Sequence, residues 1–120
     1  MMLKLAGFAA VALLLIVPSP AHAKSTTDAR VAACVSEAQS AHDWAFRLEP
    51  SLRPLIEAQR KKLSDVCVSL SNAHGLEAEE LLAACEREAA AGPRHIQRGR
   101  NMDRAHIARQ RAACRALAAK

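Results

Sequence analysis

Four cysteines, Cys34, Cys67, Cys85 and Cys114, constrain this chain more than any other feature. They are separated by 33, 18 and 29 residues. Zinc sites favour close Cys-x-x-Cys pairs, which these gaps do not supply. An even number of widely spaced cysteines in a short chain reads instead as a framework of two disulfides. Such bridges need an oxidising compartment, and the N-terminus offers a route to one. Lys4 precedes an uncharged apolar run of 13 residues, Leu5–Val17, then Pro18, Pro20 and Ala21-His22-Ala23. A positive start, an apolar middle and a small-x-small end are the parts of a secretory signal peptide in order. The run falls short of the ~20 apolar residues that span a bilayer. The expected organisation is a cleaved signal at 1–23 and one domain at 24–120. The expected location is periplasmic or secreted, with no membrane-spanning segment.

The cysteines also share a periodicity. Val31, Cys34, Val35, Ala38, Ala41, Ala45 and Leu48 recur at three- and four-residue steps, which predicts a helix from about Ser25 to Pro50. Leu52, Leu55, Ile56, Gln59, Leu63, Val66, Cys67, Leu70 and Ala73 form a second stripe, with Gly75 as its C-terminal cap. A third helix opens near Leu76 with Glu77, Glu79 and Glu80 placed well against its dipole, and carries Leu81, Leu82, Cys85 and Ala89. Gly92-Pro93 ends it. The fourth, from about Asn101 to Ala118, carries Met102, Ile107, Cys114 and Leu117. Nothing reads as a strand.

Each cysteine therefore lies on the apolar stripe of a different helix. Cys34 and Cys67 are equidistant from Pro50-Ser51, Cys67 and Cys85 from Leu76, and Cys85 and Cys114 from Gly99-Arg100. In antiparallel hairpins, residues equidistant from a turn share a level, so an up-down bundle would gather all four sulfurs in one layer. Two pairings fit: 34–67 with 85–114, or 67–85 with 34–114. The hairpin pairing, the first of these, is preferred. The expected fold is all-α, a small up-down bundle of about four helices stapled by two disulfides. The domain keeps only Trp44 and Phe46 as aromatics, and much of its apolar surface is Ala. Its core is light, so loop closure by the bridges carries unusual weight.

Charge divides along the chain. From Lys24 to Glu86 there are seven basic and ten acidic residues, and from Arg87 to Lys120 nine basic and two acidic. The last third holds Arg94, Arg98, Arg100, Arg104, Arg109, Arg111 and Arg115. One reading is an anion-binding surface, and the other is internal complementarity with the acidic third helix. The near absence of stacking aromatics and the export signal argue against nucleic acid.

Candidate chemistry is sparse. His42-Asp43 reads as a solvated helix-terminal pair. His95, Met102 and His106 are soft and imidazole ligands of the kind that suits Cu(I), but they cross a loop without repetition. Glu37, Glu49, Glu57 and Asp65 read as carboxylates on exposed helix faces, with no aromatic platform for a sugar. There is no Gly-x-Ser-x-Gly, and bridged cysteines are not nucleophiles. The expectation is a non-enzyme without cofactor or bound metal.

One stretch carries a family resemblance. Leu55-Ile56-Glu57-Ala58-Gln59-Arg60, followed by Leu63 and Cys67, resembles the Ala-Gln-Arg-x-Trp…Cys segment of LprI-type lysozyme-inhibitor domains. Those domains are small, exported, helical and cysteine-bonded, so the resemblance implies an inhibitor in the same compartment. Lys61-Lys62 stand where the family places its Trp, and Cys67 follows sooner.

The functional expectation is a binding protein: an inhibitor, immunity or accessory protein acting on a protein of the cell envelope. Arg94, His95, Arg98, Arg100 and Arg104 are the first contact candidates, with Trp44 and Phe46 second. The alternative is an envelope structural or stress protein that binds anionic lipid or peptidoglycan through its arginines. A metal-binding role is the minor third.

Overall fold

The computed structural model describes residues 20–91 and 100–119. The segment expected to be a signal peptide lies outside them up to residue 19, as do Arg94, His95 and Arg98. The chain forms α1 (Pro20–Ala38), α2 (Asp43–Leu48), a 3-10 turn (Pro50–Leu52), α3 (Arg53–Ser71), α4 (Gly75–Ala90) and α5 (Arg100–Ala118). No strand occurs among the described residues.

The long helices close a ring in which α1 packs on α3, α3 on α4, α4 on α5 and α5 back on α1. Bonds between neighbouring helices show how they align. Between α1 and α3, Cys34 meets Cys67 and Gln39 meets Ser64. Between α3 and α4, Gln59 and Lys62 meet Glu88 near the far end of α4. Between α4 and α5, Cys85 meets Cys114 and Glu86 meets Arg115. Between α5 and α1, Gln110 meets Cys34 and Arg30 meets Ala116. Between α1 and α3, and between α5 and α1, one residue number rises as the other falls, as antiparallel neighbours require.

Both disulfides take the hairpin pairing, Cys34–Cys67 and Cys85–Cys114, and all four cysteines are fully buried. Leu70 and Leu117 complete this cluster, with Val31, Val35, Val66, Leu81 and Leu82 around its margin. Loop closure over 33 and 29 residues stabilises the fold by about 3–4 kcal/mol per bridge. A second, smaller cluster of Ala45, Leu52 and Ile56 sits under Trp44 and Phe46 at the other end.

The structure departs from the sequence reading at four places. The first helix does not run to Pro50. It stops at Ala38, turns through residues 39–42 and restarts as α2, because Ser40 Oγ donates to the Glu37 carbonyl at 2.7 Å and His42 adopts φ 53. That left-handed conformation is costly for a residue with a Cβ, although His tolerates it better than most. Leu48, expected on the buried stripe, is 73% exposed as a result. Leu55 is likewise exposed, because the stripe of α3 centres on Ile56, Leu63, Cys67 and Leu70. Gly75 is the first residue of α4, not a cap on α3, and its φ of 60 makes the reversal. On α5, Ile107 lies off the buried stripe, which runs through Asp103, His106, Gln110, Cys114 and Leu117.

Among the described residues, no helix is long and apolar enough to cross a membrane.

Candidate functional site

The two faces of α5 differ in chemistry, and both bear on function. Its inner face steps by three and four residues from Asp103 through His106 and Gln110 to Cys114 and Leu117. The first three are polar and buried, so each needs a partner from a neighbouring helix.

Asp103 finds two. Its Oδ2 lies 2.9 Å from His42 Nδ1, and its Oδ1 accepts from Trp44 Nε1 at 3.1 Å. The other ring nitrogen of His42 faces the Ala91 carbonyl at 3.1 Å, at the end of α4. A neutral imidazole has one N–H, so only the doubly protonated ring donates to both acceptors. His42 thus joins the 39–42 turn to α4 and α5. It is not the solvated partner of Asp43: Asp43 pairs with Arg47 and Arg60, whereas His42 is buried.

His106 is built differently. Its Nδ1 lies 2.7 Å from Glu37 Oε2, and its buried Nε2 has no partner among the described residues. The Nδ1–H tautomer suits this arrangement. Glu37 also accepts from Arg109 Nε at 2.9 Å and is only 16% exposed, so it does not sit on an open helix face as expected. Burial alone would raise its carboxyl pKa, but the hydrogen bonds and charges of Arg109 and His106 outweigh that and hold it below 4.5. The copper reading of His95, Met102 and His106 gains no geometry: His106 faces Glu37, and the other two side chains lie outside the described part.

The outer face of α5 presents Arg104, Ala105, Ala108, Arg109, Ala112, Arg115 and Ala116, with no exposed acid. Its arginines fall into two groups. Arg109 and Arg115 turn to the flanks, onto Glu37 of α1 and Glu86 of α4. Arg104 and Arg111 line a shallow groove of about 230 Å³ with Ile107 and Ala108. Arg111 Nε is buried with no hydrogen-bond partner among the described residues. Internal complementarity accounts for Arg109 and Arg115, and Arg104 and Arg111 border the groove. Arg100 begins α5, but its side chain lies outside the described part.

Trp44 and Phe46 are half-buried and cover Ala45, Leu52 and Ile56. Two guanidinium groups lie over the Phe46 ring, Arg60 at 4.4 Å and Arg53 at 5.1 Å from its centroid. Arg60 also donates from Nε to the Ala41 carbonyl at 3.0 Å. Burial lowers its pKa from the ordinary guanidinium value, with Asp43 and Glu57 acting the other way. Gln59, its neighbour in the lysozyme-inhibitor-like segment, donates to the Glu88 carbonyl at 2.7 Å. Gln59 thus ties α3 to α4, and Arg60 ties α3 to the 39–42 turn. Arg60 also borders a polar groove of about 320 Å³ with Gln39, Glu57, Lys61 and Ser64.

Sequence reasoning missed Asp103 and Gln110 and misplaced His42. One signal was available: both residues stand at helical steps from Cys114, on the face that the cysteine had already marked as buried. A scan against protein-family models, a search of curated proteins and a search of solved structures each returned no match to this chain.

Proposed function

We infer that this protein is an exported binding protein that engages an acidic protein surface in the cell envelope through the outer face of α5. The observation that carries the reading is the groove on α5, which sets two arginines beside an apolar floor. Arg104 and Arg111 bracket an Ile-Ala floor there, and Arg109 and Arg115 of the same helix pair with Glu37 and Glu86. Small exposed alanines beside that groove let another backbone approach closely. Guanidinium groups at a rim recognise carboxylates with direction as well as charge. Two buried disulfides support an oxidising compartment. The role is one of binding and not catalysis, since both His–carboxylate pairs serve helix packing in the interior.

A photo-crosslinking residue at Ala108, with the oxidised protein offered to an envelope extract, tests this. The expected result is one protein adduct that persists at moderate salt and disappears in Arg104→Glu/Arg111→Glu. Salt-sensitive partition onto phosphatidylglycerol vesicles or isolated peptidoglycan, with no protein adduct, would replace it with the alternative envelope-binding role.

A further inference from the structure

The sulfur layer admits a second chemistry. The Sγ atoms of Cys34, Cys67 and Cys85 all lie within 4.8 Å of one another, and Cys114 is bonded to Cys85. Cysteines far apart in sequence, one from each of four helices, thus share one fully buried layer. Tetrahedral zinc holds thiolates at about 2.3 Å, which sets neighbouring sulfurs about 3.8 Å apart. The paired cysteine Cα atoms are 5.9 and 6.1 Å apart, so unbonded sulfurs reach that spacing by small side-chain rotations.

Gln110 supplies an independent observation. It is fully buried, and its Oε1 has no partner among the described residues. Its Nε2 lies 3.2 Å from the Cys34 carbonyl, 3.3 Å from Cys34 Sγ and 3.8 Å from Cys67 Sγ. A disulfide sulfur is a weak acceptor for so expensive a buried amide. A thiolate carries a full negative charge and takes N–H bonds far more strongly. Beside the Cys34 carbonyl that it already meets, the amide N–H faces sulfurs that accept more strongly as thiolates than as bridges.

We propose that the four-thiol form of this chain binds one thiophilic divalent cation, of the zinc or cadmium type. Its ligands are Cys34, Cys67, Cys85 and Cys114, with Gln110 donating to the thiolates. Binding converts four thiols and one divalent cation into a tetrathiolate of charge −2 and releases four protons to solvent. Oxidation is the competing fate. Two external disulfides accept the four electrons of the four thiolates, take four protons from solvent and leave as four thiols. The two native bridges form and the cation departs. The reduced chain before oxidation is the species that holds the site, and occupancy delays bridge formation.

The test uses the purified chain, reduced with a phosphine under anaerobic conditions and titrated with Co²⁺ as a spectroscopic stand-in for zinc. The expected result is saturation at one equivalent, the visible bands of a tetrahedral tetrathiolate, displacement by zinc and a gain of helical circular dichroism. The disulfide-bonded chain should bind none. Gln110→Leu should keep the helical signal of the oxidised fold and weaken metal affinity by about 10-fold or more in the reduced chain. Cys67→Ser should lose the four-sulfur spectrum, which is readable whether or not that chain folds. Uptake of several ions without a gain of helix, or a Cys67→Ser chain that binds as tightly as its parent, would overturn the site. Unchanged affinity in Gln110→Leu would overturn the part given to Gln110.

Discussion

The two ends of the bundle solve one problem by opposite means. At one end, α1 and α3, and α4 and α5, are joined covalently through Cys34–Cys67 and Cys85–Cys114, with Leu70 and Leu117 packed around the sulfurs. At the other, α5 is held to α1 and its following turn by charged hydrogen bonds: Asp103 with His42 and Trp44, and Glu37 with His106 and Arg109. The sulfur end is indifferent to pH and vulnerable to reductant. The polar end is the reverse. A light, alanine-rich core forces this division. Where helices approach without large side chains between them, either a covalent bond or a desolvated charge pair must supply the specificity.

The comparison breaks most sharply under reduction. Each bridge contributes about 3–4 kcal/mol through its closed loop, a large share of the net stability of a domain this size. Reduced, metal-free protein should therefore lose most of its helical signal at room temperature, because the polar end cannot hold four helices alone. A reduced chain that kept a cooperative urea transition close to that of the oxidised protein would show the hydrogen-bonded end to be dominant.

Asp103→Ala attacks the other end and ranks next. It leaves the His42 ring and the Trp44 indole N–H buried without their acceptor. Breaking a buried pair in this way costs about 3 kcal/mol. The loss should be local. Hydrogen exchange should accelerate in residues 39–48 and at the start of α5, while amides around Cys67 and Cys114 keep their protection. Uniform loss of protection along all the helices would mean that the two ends are one cooperative unit.

The acid response sharpens the contrast further. The folded carboxyl of Glu37 titrates below its unfolded value of 4.5, so the unfolded chain takes up that proton first as pH falls. The stabilisation is fully present above about pH 4.5 and disappears as pH drops through the folded value. Oxidised protein should lose urea resistance across that window, and Glu37→Gln should flatten the Glu37 contribution to the slope. An unaltered slope in Glu37→Gln would assign the acid loss to other carboxylates.

Much of the fold was legible, and the reason is arithmetic. Antiparallel hairpins place residues equidistant from a turn at one level, so the positions of four cysteines were enough to specify the layer and favour the observed pairing. The break after Ala38 was not legible, because no Gly or Pro marks it. It depends on a His accepting a left-handed backbone in order to reach Asp103, 61 residues away. The buried polar stripe was hidden for a related reason. Hydropathy assigns Asp103, His106 and Gln110 to the surface and Ile107 to the core, whereas the face of α5 is decided by Cys114 and Leu117. Of the arginines, the sequence carried the excess but not its division into flanking and groove-lining pairs, which depends on Glu37 and Glu86 arriving from other helices.

The smallest effect completes the comparison between the ends. Arg115–Glu86 sits on the surface at the sulfur end, with side chains 61% and 28% exposed. Such a pair is screened by solvent and salt and contributes about 0.5 kcal/mol or less. Arg109 at the polar end is equally exposed, but its acceptor Glu37 is not. Removing Arg109 leaves a half-buried carboxylate with His106 and Ser40 alone. Arg115→Ala should therefore be nearly silent in urea denaturation. Arg109→Ala should be measurably destabilising, and more so at neutral than at acid pH, where Glu37 is protonated and no longer needs the guanidinium. Equal effects for the two variants would show that burial of the acceptor, the physical difference between the two ends, does not govern their strength.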